Sequence, residues 1–261
     1  MRTASHAFTG LTLGTAILCV GCAHVPGRPR PGAEVPRPDQ VLNFQTLYKG
    51  NCSGCHGDDG RNGAALPLNN PAFLAVAGAD NLRSVTARGM NATLMPGFAR
   101  SAGGMLTDEQ IDALVQGMLQ NWGRPQEFAH VSLPPYSSGS AGNAADGEKV
   151  YALACARCHG TDGTGVKTSA QRGSSASSIV DPSYLALVND QSLRSFVIAG
   201  HTGEDAPDWR TYTSVPGNRS LTSQEISDVV AWVAKHRPSD LEPAVSVPGV
   251  KSADDSGKET K

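Results

Sequence analysis

One pentapeptide pattern occurs twice and constrains the chain more than anything else in it: Cys52-Ser53-Gly54-Cys55-His56 and Cys155-Ala156-Arg157-Cys158-His159, each followed by glycine. Two thiols three positions apart at a helix end can form thioethers to both vinyl groups of one porphyrin. The adjacent histidine can then offer its imidazole to the iron. The competing readings are a redox dithiol and half of a zinc site. A dithiol has no need of the histidine, and a zinc site would need a second ligand pair at finger or ribbon spacing. Two copies in near-identical surroundings predict two covalently bound haem c groups. Cys52, Cys55, Cys155 and Cys158 would carry the thioethers, and His56 and His159 would be the proximal iron ligands.

The two motifs lie 103 positions apart in 261 residues, which favours two domains of about 100 residues each. Aromatic residues make up only 5% of the chain, thin for two apolar cores, and a covalent haem would supply the missing apolar volume. A net charge of −2 with no basic stripe argues against nucleic acid as a partner. Four of the six cysteines sit in the motifs and the others are Cys19 and Cys22, so none remains for a disulfide.

Residues 1–21 read as an export signal: Arg2 is the lone charge, and Leu11 to Val20 form an apolar core too short to span a bilayer. Gly21-Cys22 resembles the cleavage site of a bacterial lipoprotein, in which Cys22 would be lipidated; the alternative is an ordinary signal peptide cleaved nearby. Residues 22–39 contain five prolines and suit a semi-extended tether. A first domain is expected over 40–123, with a helix running into Cys52 and another closing behind the capping box Thr107-Asp108-Glu109-Gln110. Ile111, Leu114, Val115 and Met118 then fall on one helical face. Residues 124–144, rich in Pro, Ser and Gly, read as an interdomain linker, with His130 a solvated residue in it.

The second domain, 145–238, repeats the order. Pro71 and Leu82 find counterparts in Pro182 and Leu193, both 111 positions on, so about eight extra residues separate the second motif from Pro182. The Ser-rich stretch from Thr168 to Ser178 is the obvious insertion. Thr222-Ser223-Gln224-Glu225 caps a last helix with Ile226, Val229, Val230 and Val233 on one face. Residues 239–261 read as a disordered tail. The chain is a tandem duplication.

Each half resembles a small class I cytochrome c domain: a helix into C-x-x-C-H-G, a Met-Pro loop, and a C-terminal helix crossing the first. The resemblance implies an all-α fold of two such domains. It makes Met95, in Met95-Pro96, the distal iron ligand of the first half, with Met90 and Met105 weaker candidates and Met118 a core residue. It also assigns the Pro67 carbonyl as acceptor of the hydrogen bond from His56. The second half departs from the family, because Met95 aligns with Ala206 and no methionine follows Met118. His201, which aligns with Met90, is the expected sixth ligand of haem 2. The alternatives are an open or water-bound iron, and a His201 that merely lies at the surface or faces a propionate.

The resemblance therefore implies a diheme carrier of single electrons rather than an enzyme. Its partners would be redox proteins such as a quinol-oxidising complex and a terminal oxidase or reductase. The chain would be exported and lipid-anchored at the periplasmic face of a bacterial membrane, or else soluble in the periplasm. An open haem 2 would instead make the chain a peroxidase-like or ligand-binding haem protein.

Overall fold

The computed structural model describes residues 35–166, 178–200, 206–210 and 219–238. The export signal with Cys22, most of the Ser-rich insertion, His201 and the tail lie outside the described residues. The chain divides into a unit ending at Gln40 and a unit from Val41 onward. In the first, the described residues carry one 3-10 turn, Pro38–Gln40, and an Arg37–Asp39 ion pair at 3.7 Å.

The second unit is helical, and its described residues contain no β-strand, only isolated bridges such as Ala99 with Leu106. The first half runs α1 (Phe44–Asn51), α2 (Ser53–His56), α3 (Pro71–Arg88) and α4 (Asp108–Trp122). One short helix follows, α5 (Pro125–Phe128). The second half runs α6 (Ala144–Ala154), α7 (Ala156–His159), α8 (Pro182–Leu185), α9 (Asp190–Ala199) and α10 (Ser223–Ala234).

Every described helix of eight residues or more begins behind a side chain that accepts from its own first turn: Asn43, Asn70, Thr107, Asn143, Asn189 and Thr222. Those acceptors satisfy amide donors that the helix itself leaves unpaired. Both expected capping boxes are formed, with Gln110 and Glu225 reaching back to Thr107 and Thr222. Helix α3 runs for 18 residues. It is two helices run together across Gly78, whose φ of +64° breaks the α conformation. In the second half the equivalent stretch is an open loop between α8 and α9.

In each half the first and last helices cross. Leu47 and Tyr48 of α1 pack on Ile111 and Leu114 of α4. Tyr151 of α6 packs on Val230, Trp232 and Val233 of α10. The two halves also share core. Ala72, Ala75 and Val76 of α3 lie with Ile198 and Trp209, and Phe73, Leu74 and Ala77 lie with Ala199. The buried Asn70 amide seals that contact by donating to the Ala199 carbonyl at 2.9 Å.

The segment between the halves is packed rather than free. Phe128 is buried beside Trp209 and Leu221, with the Arg210 guanidinium 4.6 Å from its ring centroid. The Arg194 guanidinium, only 2% exposed, donates to the carbonyls of Pro135 and Tyr136 and to both Ser223 and Ser227. Polar composition marked this stretch as a linker; what holds it is a buried cation that its carbonyls solvate. His130 is exposed, as expected. No helix among the described residues is long and apolar enough to cross a membrane.

Candidate haem sites

In the first half, α1 delivers Cys52 as its C-terminal cap, and α2 carries Cys55 and His56. The chain then turns at Gly57, whose φ of +80° and whose approach to the Arg61 carbonyl leave no room for a Cβ. The Tyr48 hydroxyl clamps this turn by donating to the Gly57 carbonyl at 2.9 Å. In the second half α6, Cys155, α7 and Gly160 repeat the arrangement, and the Tyr151 hydroxyl donates to the Gly160 carbonyl at 2.5 Å. These clamps carried one sequence signal: a tyrosine four residues before the first cysteine in both halves.

His56 is 8% exposed, and its Nδ1 lies 2.7 Å from a backbone carbonyl. A carbonyl can only accept, so Nδ1 carries the proton and the Nε2 lone pair is left for a metal. The acceptor is Leu66, not Pro67 as the resemblance implied. Pro67 itself is fully buried, one residue further on. Burial lowers the His56 pKa, which favours the neutral, ligating imidazole, although the Leu66 bond opposes that shift. His159 is half-buried at the equivalent place.

All four motif cysteines are unpaired thiols. Burial, and next the neighbouring motif thiol, push Cys52 and Cys155 up to about 12. Cys55 and Cys158, the second thiol of each pair, are exposed. Among the described residues no three His, Cys, Asp or Glu converge on a common point. In the first half, two unpaired thiols beside His56, whose Nδ1 is bonded to Leu66, fit a haem c, which when bound would supply a one-electron iron couple.

The distal loop of the first half leaves α3 at Gly89, whose φ is +75° and whose Cβ would lie 2.6 Å from the Gly97 nitrogen. Its neck closes where the Met90 N–H donates to the Met95 carbonyl at 3.0 Å. Below it, Phe98 N–H bonds to Thr86 and Leu106 N–H to Phe98. Met95 is half-buried in this loop. Met105 is 83% exposed and Met118 lies in the core, while the Met90 sulfur is already in contact with Ser192.

The same frame recurs in the second half. Gly200, at φ +63°, would place a Cβ 2.4 Å from the Ala206 carbonyl, and Trp209 N–H bonds to Ile198 and Leu221 N–H to Trp209. At the described ends of this stretch, Ala206-Pro207 stands where Met95-Pro96 stands in the first half. His201 lies outside the described residues. His236 is turned back on its own helix, with Nδ1 3.0 Å from the Trp232 carbonyl.

Two helical halves built around paired thiols and a histidine define a haem-attaching class of domain, and the family models agree. Residues 144–237 match the model described as cytochrome c, and residues 39–116 match that of cytochrome c oxidase, cbb3-type, subunit III. The chain is a c-type cytochrome made of two cytochrome c domains in tandem. It matches no curated protein sequence. Among solved structures it is similar to a chain of the reducing HAO-like protein complex of Kuenenia stuttgartiensis. That likeness has 18% identity and a TM-score of 0.44, and covers 78% of this chain and 100% of that one. Cytochrome c domains hold haem covalently and transfer electrons.

Proposed function

We propose that the chain carries two haem groups and passes single electrons between redox proteins at the periplasmic face of a bacterial membrane, where a lipid on Cys22 holds it. Its partners would be a quinol-oxidising complex on one side and a terminal oxidase or reductase on the other. The observation that carries the reading is the pairing of sites. Both halves offer the same thiol–thiol–histidine helix end, while one distal loop presents a half-buried methionine and the other an alanine. His56 and Met95 would hold haem 1 from its two faces, leaving no position for a substrate. Methionine ligation raises a haem potential, so haem 1 would be the higher of the two.

A redox titration of the intact protein tests this. Two one-electron steps are expected, and Met95→Ala should remove the higher one; both steps surviving that change would refute the ligand assignment. For the anchor, Cys22→Ala should release the protein from washed membranes. An unaltered membrane fraction would refute a lipid on Cys22.

Ala206 favours a second reading, in which haem 2 is open and binds small ligands or reduces peroxide. Carbon monoxide added to the reduced protein separates the two. An unchanged visible spectrum supports a pure carrier, with His201 as sixth ligand. A shift of about half the haem absorbance supports an open second site.

A further inference from the structure

The distal loop of the first half is gripped from the second. Helix α9 starts at its cap Asn189, whose side-chain amide donates to the Asn91 carbonyl at 2.8 Å. One turn on, the Ser192 hydroxyl lies 3.2 Å from the Met90 sulfur. That hydroxyl also lies 3.0 Å from Asn189 Oδ1, which already accepts from the Ser192 backbone N–H at 2.8 Å. Within the loop the Met90 N–H bonds to the Met95 carbonyl, and the Met90 carbonyl accepts from the Thr93 hydroxyl at 2.8 Å. Met90 is thus held at its amide, its carbonyl and its sulfur. Met95 is held only along its backbone, and its sulfur has no hydrogen-bond partner among the described residues.

A loop with two methionines five residues apart offers an iron two thioethers of the same chemistry. Methionine is flexible enough for either to reach, given a free sulfur. The neighbours of a ligand decide its orientation as much as the ligand does. We propose that Asn189 and Ser192 are positioning residues that keep Met90 away from the haem 1 iron, so that the second half of the chain selects Met95 as ligand for the first. This rests on the reading of Met95 as the distal ligand. It makes the interface between the halves part of the first haem site.

The test is the far-red methionine-to-iron charge-transfer band of the ferric full-length protein, read with the midpoint potential. The wild type should show the band and Met95→Ala should lose it. Adding Ser192→Ala to Met95→Ala should bring it back through Met90, and a further Met90→Leu should abolish it again. A band that persists in Met95→Ala alone would show that Met90 was never held back and would overturn the proposal. So would a double variant without the band. A wild type that lacks the band would instead overturn methionine ligation itself, which separates the two failures. Should that double variant not fold, Met95→Ala with Ser192→Val, which also removes the hydroxyl, decides: the band returning through Met90 supports the proposal, and its absence overturns it.

Discussion

The two halves solve one crossing problem with opposite choices. In the first, Phe44 on the entering helix packs against Gly117 on the closing helix, where an added Cβ would lie 2.1 Å from the ring. In the second the sizes are exchanged. Gly147 occupies the place of Phe44, and Trp232 occupies the place of Gly117. A Cβ on Gly147 would lie 1.9 Å from the Asp228 carbonyl oxygen and 3.0 Å from the Trp232 Cβ. One bulky aromatic at the crossing is kept while its ownership is reversed, the kind of exchange that a packed core tolerates. The aromatic that supports the tyrosine clamp moves with it. Tyr48 meets Trp122 edge-on at 5.0 Å, and Tyr151 stacks on Trp232 at 3.9 Å. The repeat therefore preserves a geometry rather than a set of residues.

Arginine shows the opposite case, one residue kept and its work changed. Arg83 and Arg194 are equivalent in the repeat. Arg83 is an exposed partner of Asp112 at 2.6 Å and Asp108 at 3.3 Å. Arg194 is buried among neutral oxygens and fastens the interdomain segment to α10. Burial lowers its pKa, and five hydrogen-bonded oxygens offset the lost hydration.

The comparison can be broken at four places. The largest effect is expected where the halves differ in chemistry. Ala206→Met puts a thioether at Met95's place in the second loop and should raise the lower midpoint by on the order of 0.1 V, within the roughly 0.8 V that axial ligands command. A midpoint that does not move would mean that the two loops present that position differently.

At the crossing, Gly147→Ala should cost about 3 kcal/mol and Gly117→Ala about 1 kcal/mol, because a carbonyl cannot yield and the Phe44 ring can. Equal losses in urea melts would remove the distinction. Next, Arg194→Ala should cost about 2 kcal/mol by stranding buried carbonyls and hydroxyls. Arg83→Ala should melt like the wild type, since exposed ion pairs contribute little. The reverse order would place the buried cation's role in doubt.

The smallest effect separates the two capping boxes. The Arg219 guanidinium, and then the Thr222 amide and hydroxyl, lower the Glu225 pKa from 4.5 to about 2 against the cost of burial. A depressed carboxyl contributes stability that is present above its unfolded pKa and lost as pH falls through its folded one. The second half should therefore lose up to about 1 kcal/mol as pH drops from about 4.5 to about 2, the group being largely solvent-screened. Glu225→Gln, which copies Gln110 of the first half, should flatten that dependence in an acid melt. A dependence that survives the substitution would have another source.

Local chemistry wrote much of this fold legibly. The C-x-x-C-H motifs, the two capping boxes and the apolar stripe of α4 are side-chain patterns that act within one or two turns of helix, and each formed where its residues stood. The site was less legible where backbone does the work. Whether the Leu66 or the Pro67 carbonyl faces His56 depends on how the turn between them rolls, which no side chain encodes. The packed linker escaped for a similar reason. Its polar composition describes a segment that needs partners and does not say that Arg194 will supply them.

Sequence alone determined the number of repeats, the caps of the helices that frame them and the place of the two C-x-x-C-H motifs, because motif spacing and helix capping are short-range. Tertiary structure alone decided that Arg83 is solvated while its twin is buried, that the size pair at the helix crossing is exchanged, and that Ser192 reaches Met90. Each of those depends on which two surfaces meet, and such meetings are set by packing over the whole chain.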